Sequence, residues 1–147
     1  MNALQDPAMI ERLYEASQAG VKTDLIVRGI CCLIPGRKFS RNIRVTRIVD
    51  TFLEHARVWY FGNGGKPKLF LGSPDWMRRN LYRRIEAVTP ILDPDLKREL
   101  SDMLSIQLSD KRKACFVDDR LHNRWKSARP QKEKIRAQYT FYEYLKS

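Results

Sequence analysis

A mixed α/β fold, a mixed sheet flanked by helices, is what this 147-residue sequence predicts. Three observations carry that expectation. A long apolar run lies between residues 21 and 33, and several short β-branched or aromatic runs are bounded by Gly, Pro or Asn. Two Asp-Pro dipeptides each open a stretch with helical apolar spacing. Strand-like and helix-like segments intermix without an internal repeat, the pattern of a sheet covered by helices. The length suits one domain with a real core, so residues 1–147 are read as a single domain.

Taken in order, Asp6 caps a first helix with Pro7 at its first position, Ile10, Leu13, Tyr14 and Ser17 follow at helical spacing, and Gly20 closes it. Val21 to Leu33 reads as a strand buried on both faces, ended by Pro35-Gly36 and a basic loop. Ile43 to Val49 reads as a short strand or the lead-in to a brief helix around Asp50 to Glu54. Ala56–Phe61 and Lys68–Ser73 form a hairpin about Gly62-Asn63-Gly64-Gly65. A short helical turn over Asp75–Asn80 precedes a strand from Arg84 to Ile91. Asp93-Pro94 starts a second long helix whose apolar face is Leu96, Leu100, Met103 and Leu104. Lys113–Val117 is a further strand, and Tyr139–Leu145 a closing helix after a polar, basic connector from His122 to Arg136.

Charge is the strongest compositional fact. Lys plus Arg number 28 against 17 Asp plus Glu, giving +11. Such an excess points to a polyanionic partner: nucleic acid, an anionic membrane surface or a phosphate polymer. The sequence contains no run near the roughly 20 apolar residues that a membrane-spanning helix needs. Polar Asn2, Gln5 and Asp6 occupy the place of a signal peptide's apolar core, so a cytoplasmic location is expected. The start directly on a helix suggests a fragment of a larger protein. Cys31, Cys32 and Cys115 have neither a paired framework nor metal-ligand spacing, and read as buried, reduced thiols.

Candidate site residues cluster between Arg28 and Glu86. Arg28 falls near the carboxyl end of the predicted buried strand, where α/β sheets tend to bind ligands. His55 precedes a strand whose alternation sets His55, Arg57, Trp59 and Phe61 on one face. A histidine can act as nucleophile or general acid, and an arginine's planar fork grips phosphate oxygens. Arg84 and Glu86 share a face opposite Ile85. Arg78, Arg79, Arg83 and Arg84, interleaved with Trp76 and Tyr82, also fit a nucleic-acid patch. A Walker loop and a dinucleotide-binding G-x-G-x-x-G are both lacking.

The order of segments resembles the polyphosphate kinase family. The runs that carry it are Met1-Asn2-Ala3-Leu4, Leu13-Tyr14-Glu15-Ala16-Ser17, Ile26 to Leu33, Ile48-Val49-Asp50, Phe52 to Arg57, Asn63-Gly64-Gly65, Asp75-Trp76-Met77, Asn80-Leu81 and Arg83-Arg84. The resemblance is close over residues 1–110 and looser beyond. It implies the C-terminal catalytic domain of an ATP:polyphosphate phosphotransferase and a phospholipase D-like half-fold. His55-Ala56-Arg57 and Gly72-Ser73 echo that superfamily's His-x-Lys and Gly-Ser, with Arg57 where lysine is usual.

By the same resemblance His55 is the catalytic second-half histidine. Arg28, Arg84 and His55 hold the ATP and polyphosphate phosphates, with Arg57, Ser73, Asp75 and Asn80 as neighbours. The phosphorylated histidine, the magnesium ligands and the adenine-stacking aromatic would lie outside this chain, and no metal site is expected within it. ATP or ADP, inorganic polyphosphate, the N-terminal domains of a full-length enzyme and a homo-oligomeric partner are the implied partners. Two other readings stand beside it: a basic nucleic-acid-binding module, and a phospholipase D-like hydrolase half-site, which Arg57 in place of lysine disfavours.

Overall fold

A computed structural model of the chain describes residues 1–127 and 135–146. Helix α1 spans Pro7–Gln18, and the Asp6 carboxylate accepts from Met9 N at 3.1 Å, the cap its Asp-Pro start predicts. Strands β1 (Thr23–Ile26) and β2 (Ile43–Ile48) pair in parallel. A hairpin of β3 (Val58–Phe61) and β4 (Lys68–Gly72) continues to short helix α2 (Arg78–Arg83) and β5 (Val88–Ile91). Helix α3 (Pro94–Ser109) is capped by Asp93 and leads to β6 (Ala114–Val117), β7 (Asn123–Trp125) and α4 (Ala137–Tyr144).

The strands divide into two sheets. One is mixed, in the order β1-β2-β6-β7; the other is the antiparallel β3-β4-β5. The predicted mixed sheet with helices is present, and the separate three-stranded sheet adds to it. Leu4, Ile10, Leu25, Val27, Cys31, Leu33, Ile43, Val45 and Val117 form the main core, with Leu13, Tyr14 and Trp76 packed against it. Burial of this apolar surface is the chief favourable term in folding.

The apolar run at 21–33 is not one strand buried on both faces. Regular pairing ends at Ile26, with Val27 N donating once more to Thr46 O at 2.9 Å. Along the run Leu25, Val27, Cys31 and Leu33 are buried while Ile30 is exposed, so it has one buried side. Residues 2–5 supply the cover: Leu4 bridges in parallel to Cys31 on one side and to Trp76 on the other. Asp50 to Glu54 forms no helix, with bends only at Thr51 and Phe52, and its polar groups are held from far along the chain. Asp50 pairs with Arg136 at 2.6 Å, and Phe52 exchanges hydrogen bonds with the Gln138 amide at 2.8 and 2.7 Å.

The strand expected from Arg84 begins only at Val88, and α2 runs over Arg78–Arg83 rather than within Asp75–Asn80. The predicted basic connector contains β7, and its residues 128–134 lie outside the described residues. Cys32 is exposed, against the expectation of three buried thiols; Cys31 is buried, and burial raises its thiol pKa. Buried Asp110 ties the last layer together. Its Oδ1 accepts from Arg112, Lys113 and Ala114 N, and its Oδ2 from Ala137 N at 2.7 Å, joining the ends of α3, β6 and α4. Among the described residues no helix is long and apolar enough to cross a membrane.

Candidate phosphate-binding site

Arg28 stands two residues beyond β1, and residues 49–53 follow directly on β2. Together Arg28, Val49, Asp50, Thr51, Phe52 and Leu53 line a cleft of about 220 Å³. The cleft therefore opens at the carboxyl ends of the parallel pair, where chain segments leaving adjacent strands splay apart. One wall continues through Glu54 to His55. The Asp50 carboxylate, shut from solvent, is occupied by Arg136 at 2.6 Å and lies 3.9 Å from Lys113. The Arg136 hydrogen bond holds its pKa below the ordinary carboxylate value despite burial. Gln138 reaches Glu54 as well as Phe52, and Gln107 donates to Glu54 at 3.1 Å, so α3 and α4 fix the wall that carries His55.

His55 is exposed. Its carbonyl accepts from Arg57 Nη1 at 3.2 Å, and among the described residues its ring makes no hydrogen bond. Arg57, expected beside a phosphate, is turned inward. Its Nη2 meets Asp75 Oδ2 at 3.0 Å, in a pair whose side chains are only 17% and 4% exposed. Asp75 Oδ1 accepts from Asn2 N and Ala3 N at 2.8 and 3.0 Å. Burial alone would raise the Asp75 pKa, but the Arg57 hydrogen bond and the two backbone donors outweigh it and keep it below its ordinary value.

Ser73 and Asn80 meet at a residue left out of the expected site, Glu86. The Ser73 hydroxyl donates to Glu86 Oε2 and accepts from Ala87 N, while Asn80 Nδ2 donates to Glu86 Oε1 at 2.7 Å. These two hydrogen bonds lower the Glu86 pKa, assisted by the charges of Arg84 and Arg57. Arg84 is exposed at the rim of this network, and among the described residues it pairs with no carboxylate. Gly72 is required where β4 passes Trp59: an added Cβ would lie 2.8 Å from the indole and 2.9 Å from both Ala87 O and Val88 Cγ2.

The structure thus joins Arg57 with Asp75 and Ser73 with Asn80, sets Arg28 in the cleft wall, and leaves His55 and Arg84 open to solvent. Asn2 was missed. It lies within a run that carried the family resemblance, but an asparagine near a chain start gives no local sign of a partner 73 residues away. Among the described residues no group of three or more His, Cys, Asp or Glu side chains could hold a metal ion. Arginines and one histidine are a poor donor set for magnesium, which prefers carboxylate and phosphate oxygens.

These features define a mixed α/β unit with an arginine-bearing cleft at the carboxyl ends of parallel strands. The chain belongs to the polyphosphate kinase family: residues 1–138 match the family model described as polyphosphate kinase C-terminal domain 2. The polyphosphate kinase of Escherichia coli strain K12 is 48% identical over 148 residues, covering all of this chain and 21% of that protein. That of Synechocystis is 56% identical over 115 residues, covering 78% of this chain and 16% of its own. The crystal structure of polyphosphate kinase from Porphyromonas gingivalis aligns with a TM-score of 0.95 at 57% identity, covering 99% of this chain and 22% of that one. This chain spans about a fifth of the length of these relatives.

Proposed function

We propose that this chain supplies the second half of an active site that moves the terminal phosphate of ATP reversibly onto inorganic polyphosphate. The observation that carries the reading is the cleft at the carboxyl ends of β1 and β2, with Arg28 in one wall and the segment leading to exposed His55 in the other. Phosphoryl transfer is chiefly positioning and neutralisation of charge on the moving group, so arginines and a protonatable histidine are the parts it needs. Arg28 and Arg84 hold phosphate oxygens, and His55 contacts or protonates the phosphates in transfer. Arg57 and Asp75 act as framework, since their charges are spent on each other.

The covalent phosphohistidine, the magnesium ligands and the adenine contact belong to other parts of a full-length enzyme, which works in the cytoplasm as a homo-oligomer. The half-site architecture is phospholipase D-like. This chain alone binds polyphosphate or nucleotide weakly and turns nothing over.

Competition binding tests the reading. Inorganic tripolyphosphate should bind the chain, displace any bound single-stranded DNA at low concentration, and lose affinity in Arg28→Ala and Arg84→Ala. DNA that resists displacement, with tripolyphosphate affinity indifferent to both substitutions, would favour the basic nucleic-acid module instead.

A further inference from the structure

A continuous set of hydrogen bonds links Arg28 and His55, two of the three residues assigned to the phosphates. From His55 O it runs to Arg57 Nη1, and from Arg57 Nη2 to Asp75 Oδ2. Asp75 Oδ1 then takes Asn2 N at 2.8 Å, and the Asn2 side-chain oxygen takes Arg28 Nε at 2.9 Å. The same short segment braces the Arg28 backbone: Arg28 N donates to Met1 O and Gly29 N to Asn2 O. Gly29 packs so closely that a Cβ there would meet Asn2 O at 3.0 Å.

Arg28 lacks a carboxylate partner among the described residues. Its one side-chain hydrogen bond there runs from Nε to the neutral amide oxygen of Asn2, and Nη1 and Nη2 make none. That division of labour has a chemical reason. A guanidinium presents its donors in one rigid plane, so fixing Nε fixes the direction of both Nη groups. An amide oxygen does this without cancelling the charge, whereas a carboxylate would compete with the phosphate. The charge cancellation occurs one step back, at Arg57 and Asp75.

We propose that Asn2 is a positioning residue, held by Asp75, that orients the Arg28 guanidinium so that its two Nη groups face phosphate oxygens in the cleft. This rests on the phosphate reading given above. Asn2→Ala is a selective perturbation, because alanine keeps the backbone N–H that Asp75 holds and removes the side-chain amide whose oxygen Arg28 uses.

The test is nuclear magnetic resonance of the Arg28 Nε–H group in the isotope-labelled chain, together with titration by inorganic tripolyphosphate. In the unsubstituted chain the Nε–H signal should be shielded from solvent exchange and should shift on titration. Asn2→Ala should broaden it and weaken tripolyphosphate binding about tenfold, the lower end of the worth of one lost hydrogen bond from a charged group. Asn2→Asp, which keeps an oxygen in place, should restore the shielded signal. In an Arg28→Ala background Asn2→Ala should cost nothing further. Equal affinity with and without Asn2→Ala, or the same loss in the Arg28→Ala background, overturns this proposal while leaving the phosphate reading intact. Failure of the unsubstituted chain to bind tripolyphosphate, or indifference to Arg28→Ala, overturns the phosphate reading and this proposal with it.

Discussion

Asp75→Ala removes one carboxylate and strands three donors: Asn2 N, Ala3 N and Arg57 Nη2. Asp75 is 2% exposed, so little water is at hand to replace it. Breaking a buried ion pair from one side costs about 3–5 kcal/mol. Each buried N–H left without a partner costs about 1–3 kcal/mol. The donors share one site and one void, so these costs overlap rather than add. Arg57, 17% exposed, recovers part of its hydration. A net loss of about 4 kcal/mol follows, a large part of the roughly 5–15 kcal/mol that holds a domain together.

Asp75→Asn keeps an oxygen for the backbone donors but loses the charge and the acceptor that Arg57 Nη2 uses, so it should cost about 2–3 kcal/mol. Urea unfolding with an unchanged denaturant slope is the assay. A control is Arg12→Ala, which breaks an exposed pair (77% and 59% exposed) and should cost under about 0.5 kcal/mol. A loss below about 1 kcal/mol for Asp75→Ala would refute the claim that Asp75 anchors this network.

Gly72→Ala should destabilise the chain by about 1–3 kcal/mol, since backbone and two rigid side chains surround the new methyl; a thermal midpoint equal to the parent's would show that β4 has room there. The Asp50 and Asp75 pKa values are both depressed by folding. Their contribution to stability is therefore complete above their unfolded values, about pH 4, and is lost as pH falls through the folded values. Melting between pH 5 and pH 2.5 should show a steep fall that is shallower in Asp75→Asn; identical slopes would contradict it. Asp118, lowered to about 2 by hydrogen bonds from His122 N, Arg124 and Arg120 N, loses its share from about pH 4 downward and completes that loss below this range.

What the sequence made legible was local. The two Asp-Pro starts mark α1 and α3 because capping is decided within a few residues, as the Asp6 and Asp93 hydrogen bonds show. The hairpin of β3 and β4 follows from its glycine-rich turn, where Asn63, Gly64 and Gly65 all take positive φ. The run at 21–33 was over-read as one strand, since its apolar side chains serve a single buried face that residues 2–5 complete from outside. A brief helix around Asp50 to Glu54 is one of the two options the local residues allow; the strand option holds at β2, and Arg136 and Gln138 fix the segment after it from 84 to 86 residues away. The site shows the same division. Residue types and order named Arg28, His55 and Arg84, whereas the wiring through Asn2 and Asp75 is tertiary and has no local signature. Arg57 is the instructive case: its type suits a phosphate, and its place beside Asp75 commits it to the frame.

The measurement that bears most directly on the central claim is turnover in a full-length polyphosphate kinase carrying this domain, with His55→Ala as the variant. Loss of a group that protonates or contacts the transferring phosphate should lower the rate of ATP-dependent polyphosphate synthesis by about 10²–10⁴-fold, with melting unchanged because His55 is exposed. A His55→Ala enzyme that matches the parent in both directions of transfer would contradict it.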